Sequence, residues 1–298
     1  SKKKSFKMDD SFDEDDDTPF VFDNFPELFY YDYLKQFPKR NINLKDWKQL
    51  RSADLRQMVA DFPPSAHLAA SKAGVSAYDS INLSGCENID EDGLQSLLKS
   101  TSKSCTSLKV ERCPKAVTTP LMKRVMHSFK ILSVLDVTGC GVRDEALEEI
   151  RMRPRFAANE EVKGIETLLV ADNDLITDIG VMAVLKSSAA DSLKVLDISG
   201  CHRITDMALM TSFQSASKFQ HLISLNISRI NITSLGIAHV AKVCHSLVTF
   251  IAQHTLINDP SLYHMGKTLK KLKTFDIESS AHIIFLSWNC RYWVLSMA

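Results

Sequence analysis

Seven cysteines give this 298-residue chain its most reactive side chains. A thiolate can act as a nucleophile, close a disulfide or ligate a soft metal. Four of them, Cys86, Cys113, Cys140 and Cys201, occupy the last position of one recurring phrase, apolar-x-apolar-x-x-Cys. Asn173 holds that position in a further copy. Stacked copies would bring neighbouring thiols within about 5 Å of each other. A zinc centre needs four donors converging at about 2.0–2.3 Å, which a single file of thiols does not provide. The spacing therefore predicts buried structural thiols, small and apolar with a weak S–H donor. Cys105, Cys244 and Cys290 show no ligand spacing. Cys244 and His245 are adjacent, but a nucleophile and its base must meet in space, and adjacency does not supply that. None of the nine histidines falls in an H-E-x-x-H pair, and neither G-x-x-x-x-G-K-[ST] nor G-x-G-x-x-G occurs. The reading is a protein that is not an enzyme, with no catalytic, cofactor-binding or metal-ligating residues.

The phrase itself sets the elements. Its first apolar residue falls at Ile81, Leu108, Leu135, Leu168, Leu196, Leu225, Phe250 and Phe275, at intervals of 27, 27, 33, 28, 29, 25 and 25 residues. Periods of this length mark stacked repeats. Another apolar residue stands three positions before each of the last six: Leu132, Ile165, Leu193, Leu222, Leu247 and Leu272. The alternation predicts a short strand, followed by a turn and a helix. Helix caps are expected at Glu91, Thr119, Asp144, Asp178, Asp206, Ser234 and Asp259, because Asp, Ser and Thr oxygens accept from the free N–H groups of a first turn. Pro120 and Pro260 follow directly, where a missing N–H costs nothing. Apolar residues at helical spacing, such as Ile179, Met182 and Leu185 or Leu209 and Phe213, are expected to face the core. No unit can bury its apolar face alone. The fold class is therefore α/β: a curved solenoid of about eight strand-turn-helix repeats, with a parallel sheet on the concave face.

Composition narrows the function. Lys plus Arg number 36 and Asp plus Glu number 36, a zero net charge that argues against nucleic-acid binding. No stretch reaches the roughly 18 apolar residues of a membrane helix. The nearest, from Ile283 to Ala298, is too short and carries Arg291. An odd, unclustered cysteine count suits a reducing compartment, and acidic residues follow Lys2–Lys4 where a secretory signal would be apolar. Cytoplasmic or nuclear location is expected. Four regions emerge. Residues 1–19 form a disordered acidic tail, with seven Asp or Glu between positions 9 and 17. Residues 20–77 form an aromatic-rich helical cap holding Phe20, Phe22, Phe25, Phe29, Tyr30, Tyr31, Tyr33 and Phe37. Residues 78–280 are the repeats, and 281–298 an apolar tail or cap.

The phrase L-x-x-L-x-[ILV]-[ST]-x-C-x-x-[IV]-[TS]-[DE]-x-[GA]-L fits Leu193 to Leu209 almost position for position. It resembles the cysteine-containing leucine-rich repeats of F-box/LRR proteins and of the AMN1-like (antagonist of mitotic exit network) family. The resemblance covers about residues 78–280 and specifies fold more than function. In F-box/LRR adaptors the solenoid holds a substrate while an amino-terminal F-box docks on the Skp1 subunit of a cullin ubiquitin ligase. Here Phe25-Pro26-Glu27-Leu28 resembles the start of that motif and Trp47 its late tryptophan. The interval between them is shorter than in the family, and its Leu-rich helices are missing.

Strand alternation gives the binding surface. With Leu196 and Ile198 inside, Val195, Asp197 and Ser199 face outward. One column follows: Asn82, Lys109, Asp136, Leu169, Asp197, Asn226, Ile251 and Asp276. It is polar and mildly acidic, with apolar interruptions, and suits a basic protein segment with one apolar anchor. The 33-residue interval holds an inserted loop from Arg151 to Gly164, in which Arg151, Arg153 and Arg155 lie close to Phe156. Insertions in repeat proteins map to one side, often the binding side. The function read from these features is a non-catalytic protein-interaction module, a monomer within a complex. Two versions compete: a ubiquitin-ligase substrate adaptor, and an architectural subunit of a large ciliary, chromatin or mitochondrial assembly.

Overall fold

The computed structural model describes residues 41–61, 78–99, 105–152 and 164–278. Among them are nine strands, each of three residues: β1 (Asn41–Asn43), β2 (Ser80–Asn82), β3 (Ser107–Lys109), β4 (Val134–Asp136), β5 (Thr167–Leu169), β6 (Val195–Asp197), β7 (Ser224–Asn226), β8 (Thr249–Ile251) and β9 (Thr274–Asp276). They form one parallel sheet in chain order. Eight α-helices alternate with them: α1 (Ser52–Asp61), α2 (Glu91–Lys99), α3 (Thr119–Ser128), α4 (Asp144–Arg151), α5 (Asp178–Lys186), α6 (Asp206–Ser212), α7 (Ser234–Val243) and α8 (Asp259–Thr268). Each unit pairs only with its neighbours, so the described residues form a leucine-rich repeat solenoid. β1 and α1 add a rung ahead of the eight seen in the sequence, inside the stretch assigned to a cap.

The register places every anchor opposite the next: Ile42, Ile81, Leu108, Leu135, Leu168, Leu196, Leu225, Phe250 and Phe275. Those from Ile81 to Phe250 are at most 2% exposed. The residues two positions on, from Leu83 to Ala252, are equally buried, which is the period of a strand with one face on the core. The helices cover that face. None of the described helices is long and apolar enough to cross a membrane.

The caps sit one residue earlier than the sequence suggested. The extended N-cap residues are Thr118, Thr177, Thr205, Thr233 and Asn258, whose side chains accept from N–H groups of the first turn. Arg143 caps α4 without any side-chain bond. Asp144, Asp178 and Asp206 are instead first helical residues, and they reach across to the next repeat. Asp144 accepts from Thr177 N–H and O–H at 2.8 and 2.6 Å. Asp178 does the same for Thr205 at 2.7 and 2.6 Å, and Asp206 for Thr233 at 2.9 and 2.6 Å. Glu91 accepts from the Thr118 hydroxyl at 2.6 Å. These charge-assisted bonds staple the start of α2 to that of α3, α4 to α5, α5 to α6 and α6 to α7. They also explain the small residue in the phrase [TS]-[DE]-x-[GA]-L. A Cβ on Gly180 would run into the Asp144 carboxylate, and one on Gly236 into that of Asp206.

Candidate interaction surface

The turn after each strand holds the chemistry-bearing cysteines, and the structure gives each a structural task. Cys86, Cys113, Cys140 and Cys201 donate their S–H to the carbonyls of Leu44, Leu83, Val110 and Val170, in the preceding rung, at 3.1, 3.1, 2.9 and 3.3 Å. Burial pushes the thiols of Cys86, Cys140 and Cys201 up to about 12 and that of Cys113 to about 11, so they stay protonated. Burial likewise raises Cys105 to about 12, and Cys244 further. Asn173 fills the same position with more bonds. Its Nδ2 faces the carbonyls of Val137, Val170 and Ala171 at 3.1, 2.8 and 3.0 Å, and its Oδ1 accepts from Val142 N–H at 2.8 Å. Among the described residues, no group of three or more His, Cys, Asp or Glu is arranged to hold a metal ion. Trp47 occupies the equivalent place in the first rung, where Leu50 N–H donates to its carbonyl at 3.1 Å. It thus belongs to a repeat turn, and Phe25-Pro26-Glu27-Leu28 lies outside the described residues.

One residue before that position, every turn from the first rung to the eighth bends through positive φ. The residues are Asp46, Gly85, Arg112, Gly139, Asp172, Gly200, Arg229 and His254, with φ between 52° and 78°. The sequence reading missed this line, although glycine in three copies was a signal. Glycine is free there; the charged residues tolerate it at some cost. Glycine between charged neighbours also clears a path. Arg229 Nη2 bonds Asp172 Oδ1 at 2.7 Å, two rungs away, and a Cβ on the intervening Gly200 would collide with that carboxylate.

The column expected from alternation exists as a register line: Asn82, Lys109, Asp136, Leu169, Asp197, Asn226, Ile251 and Asp276 are successive partners. Asn43 extends it to β1. Its polar members are mostly occupied. Asn82, Asp136, Asp197, Asn226 and Asp276 each accept, through Oδ1, the N–H two residues on, at 3.1, 3.1, 2.9, 3.1 and 3.1 Å. This Asx bond turns the chain out of the strand and into the bend. Second oxygens are partly used as well. Asp197 accepts from Asn226 Nδ2 at 3.1 Å, and Asp276 from Gln253 Nε2 at 2.6 Å. Asp136 is only 7% exposed. Three members carry no Asx bond: Lys109, exposed, and Leu169 and Ile251, half-buried.

Of the arginines at the inserted segment, only Arg151 falls among the described residues. Arg151 is exposed as the last residue of α4 instead of lying in a loop, because the helix runs on past Ile150. Arg153, Arg155 and Phe156 lie outside the described residues. A further correction concerns the helices. Leu185, Leu209 and Phe213 are buried as expected, but Ile179 is 65% exposed and Met182 half-exposed. α5 turns Gly180, Val181, Val184 and Leu185 inward, and Ile179, one residue earlier, falls off that stripe.

A family model described as Leucine Rich repeat matches residues 191–210, the stretch from the approach to β6 through most of α6. The fold is similar to a chain in the crystal structure of the Rad7 and Elc1 complex in yeast, with a TM-score of 0.61 and 14% identity over 83% of this chain. This chain spans 65% of that one's length. A slighter likeness, TM-score 0.33 and 16% identity, covers 51% of this chain and 84% of leiomodin-1 actin-binding site 2. No curated protein matches the sequence.

Proposed function

We propose that the sheet face receives a segment of a partner protein, and that this segment is basic with one apolar side chain seated at Leu169. The observation that carries the reading is the row Asp136–Leu169–Asp197. Leu169 is half-exposed between two carboxylates on the adjoining strands. Neighbouring strands lie about 4.8 Å apart, so one short segment can seat its apolar side chain at Leu169 and reach Asp197, while Asp136, only 7% exposed, contributes its charge from within the face. Val134 and Val195, two residues earlier on the same face, widen the apolar centre. The Asx bonds hold the carboxylates in fixed rotamers, which lowers the entropy lost on binding. Asp197 is the more open of the two; Asn82, Lys109, Asn226, Ile251 and Asp276 extend the row.

The partner's identity is a separate matter. A substrate for ubiquitin transfer is supported by the resemblance of the repeats to F-box/LRR adaptors, with Skp1 and cullin docking through the N-terminal region ahead of β1. Recovery of Skp1 and cullin with the tagged chain is the expected result. Their absence, with stoichiometric recovery in a large particle, would favour the architectural role. The sheet face is tested with an array of basic peptides that each carry one Leu, Ile or Phe. Leu169→Lys should weaken binding at least tenfold, and Asp197→Asn, which keeps the Asx acceptor, about threefold for loss of one charge contact. Unchanged binding in Leu169→Lys would remove the reading.

A further inference from the structure

Two apolar residues interrupt the polar column of the sheet face, and the binding of one apolar side chain uses only the first of them. Leu169 and Ile251 are both half-buried. Ile251 lies between Asn226 and Asp276, its register partners on β7 and β9. Three strand steps separate Leu169 from Ile251, by way of Asp197 and Asn226. At about 4.8 Å per step the separation is roughly 14 Å. An extended chain advances about 3.4 Å per residue and turns every second side chain to the same face. Four residues therefore span about 13.6 Å, and the side chains at both ends point the same way. A helix would need nine or ten residues for that span, about two and a half turns or slightly more, so its two anchors would not share a face.

We propose, on the basis of that sheet-face reading, that the bound segment crosses the strands in extended form and carries a second apolar side chain four residues from the first, seated at Ile251. The same parity places the basic residues. A residue two positions from the first anchor lies at about 6.8 Å, between Asp197 and Asn226. One six positions from it lies at about 20 Å, beside Asp276, which is four steps along at about 19 Å. Lys or Arg at these places meets Asp197 and Asp276, whose Asx bonds from Ser199 N–H and Glu278 N–H hold the carboxylates in place. Within two residues of β5 to β9, the other charged residues are Glu166, Lys194, Lys273 and Glu278. Glu166 and Lys194 pair with each other at 2.8 Å. Lys273 and Glu278 stand exposed before and after β9 and offset each other in charge. Asp197 and Asp276 therefore set the sign of this half of the face. On the other side of Leu169, Lys109 is exposed two steps away and repels a basic extension there. The pattern accordingly runs from β5 toward β9.

Fluorescence polarisation on the full chain tests the spacing, with the tightest single-anchor basic peptide of the array as the parent probe. A Leu is added two, three, four, five or six positions from the first anchor, on either side of it. A spacing of four should tighten binding about tenfold, the gain from burying one Leu side chain against a half-open partner, and the other spacings less than threefold. Ile251→Asn and Ile251→Thr add no charge. Each should erase that gain and leave single-anchor binding within twofold. Thermal midpoints within about 4 °C of the parent report that both variants fold. Leu169→Lys should weaken the one-anchor and two-anchor peptides alike. No binding by any arrayed peptide, or single-anchor binding indifferent to Leu169→Lys, removes the sheet-face reading and the second anchor with it. Binding that depends on Leu169 but shows no preference for a spacing of four, or a gain that survives Ile251→Asn, overturns the second anchor alone.

Discussion

The same repeats present two faces with opposite economies. The sheet face is rich in Asp and Asn, yet most of their oxygens hold the chain's own backbone: five of the eight column residues close Asx turns. The helix face over α5, α6 and α7 is apolar and exposed, and Ile179, Met207 and Leu235 contribute little to the core. Polarity at a surface is therefore a poor measure of what is available to a partner. On the sheet face the residues free of turn duty are Lys109, Leu169 and Ile251, and the first binding determinant is accordingly an apolar one. On the helix face nearly every outward side chain at the centre is free.

That contrast can be strained first with pH, where the largest effect is expected. The buried thiols beneath the turns have pKa values of about 11–12, against about 8.5 in an unfolded chain. A raised folded value contributes stability that is whole below the unfolded pKa and is lost as pH rises toward the folded one. Each thiol should remove up to about 1.4 kcal/mol per pH unit above about pH 9. Urea midpoints measured from pH 7 to pH 10 should fall steeply, and a flat profile would show the thiols to be open to solvent.

Substitutions in the turns come next. Asn173→Ala strands Val142 N–H and the Val137 carbonyl in a buried site, while the Val170 and Ala171 carbonyls keep their bonds from Cys201 Sγ and Gly139 N–H, and should cost about 3–5 kcal/mol by urea unfolding. Asn173→Cys, which restores the residue used by four other rungs, should cost less than half of that. Gly200→Ala forces a Cβ into positive φ and against the Asp172 carboxylate, for about 2–3 kcal/mol. Gly141 has a similar φ of 70° but open space around it, so Gly141→Ala should cost only about 1 kcal/mol. Equal losses would mean that the Asp172–Arg229 crossing is unimportant.

The smallest stability effects separate the faces directly. Asp197→Ala loses an Asx bond worth about 1 kcal/mol, whereas Asp197→Asn keeps the Asx acceptor, loses only the bond from Asn226 Nδ2 and should cost about 0.5 kcal/mol. Ile179→Lys and Leu235→Lys should stay within about 0.5 kcal/mol of the parent in unfolding. A loss as large as a core substitution at Ile179 would place it inside the fold.

Much of this architecture was legible before the structure. The anchors Ile81 to Phe275 sit opposite one another because a period-2 apolar pattern admits one register. The rung position of the cysteines was equally plain, since four copies shared it. The helix starts were misplaced by one residue because Thr and Asp stand side by side, and both residue types cap well. Only the cross-repeat bonds of Asp144, Asp178 and Asp206 show that Thr caps and Asp staples. The Asx duty of Asp136 and Asp197 was hidden for a similar reason. Alternation gives the direction of a side chain, whereas the Asx bond depends on how the following turn bends. Ile179 fitted a helical apolar spacing, but a seven- to ten-residue helix allows more than one choice of stripe. The exposed face was therefore hidden inside a pattern that looked like core.

The two faces should fail separately, and one paired experiment asks whether they do. Leu169→Lys and Met207→Lys are each measured for binding to the tightest arrayed basic peptide. The account predicts that Leu169→Lys loses peptide binding at least tenfold, while Met207→Lys, on the helix face, binds peptide normally. A Met207→Lys variant that lost peptide binding, or a Leu169→Lys variant that bound peptide as the parent does, would contradict it.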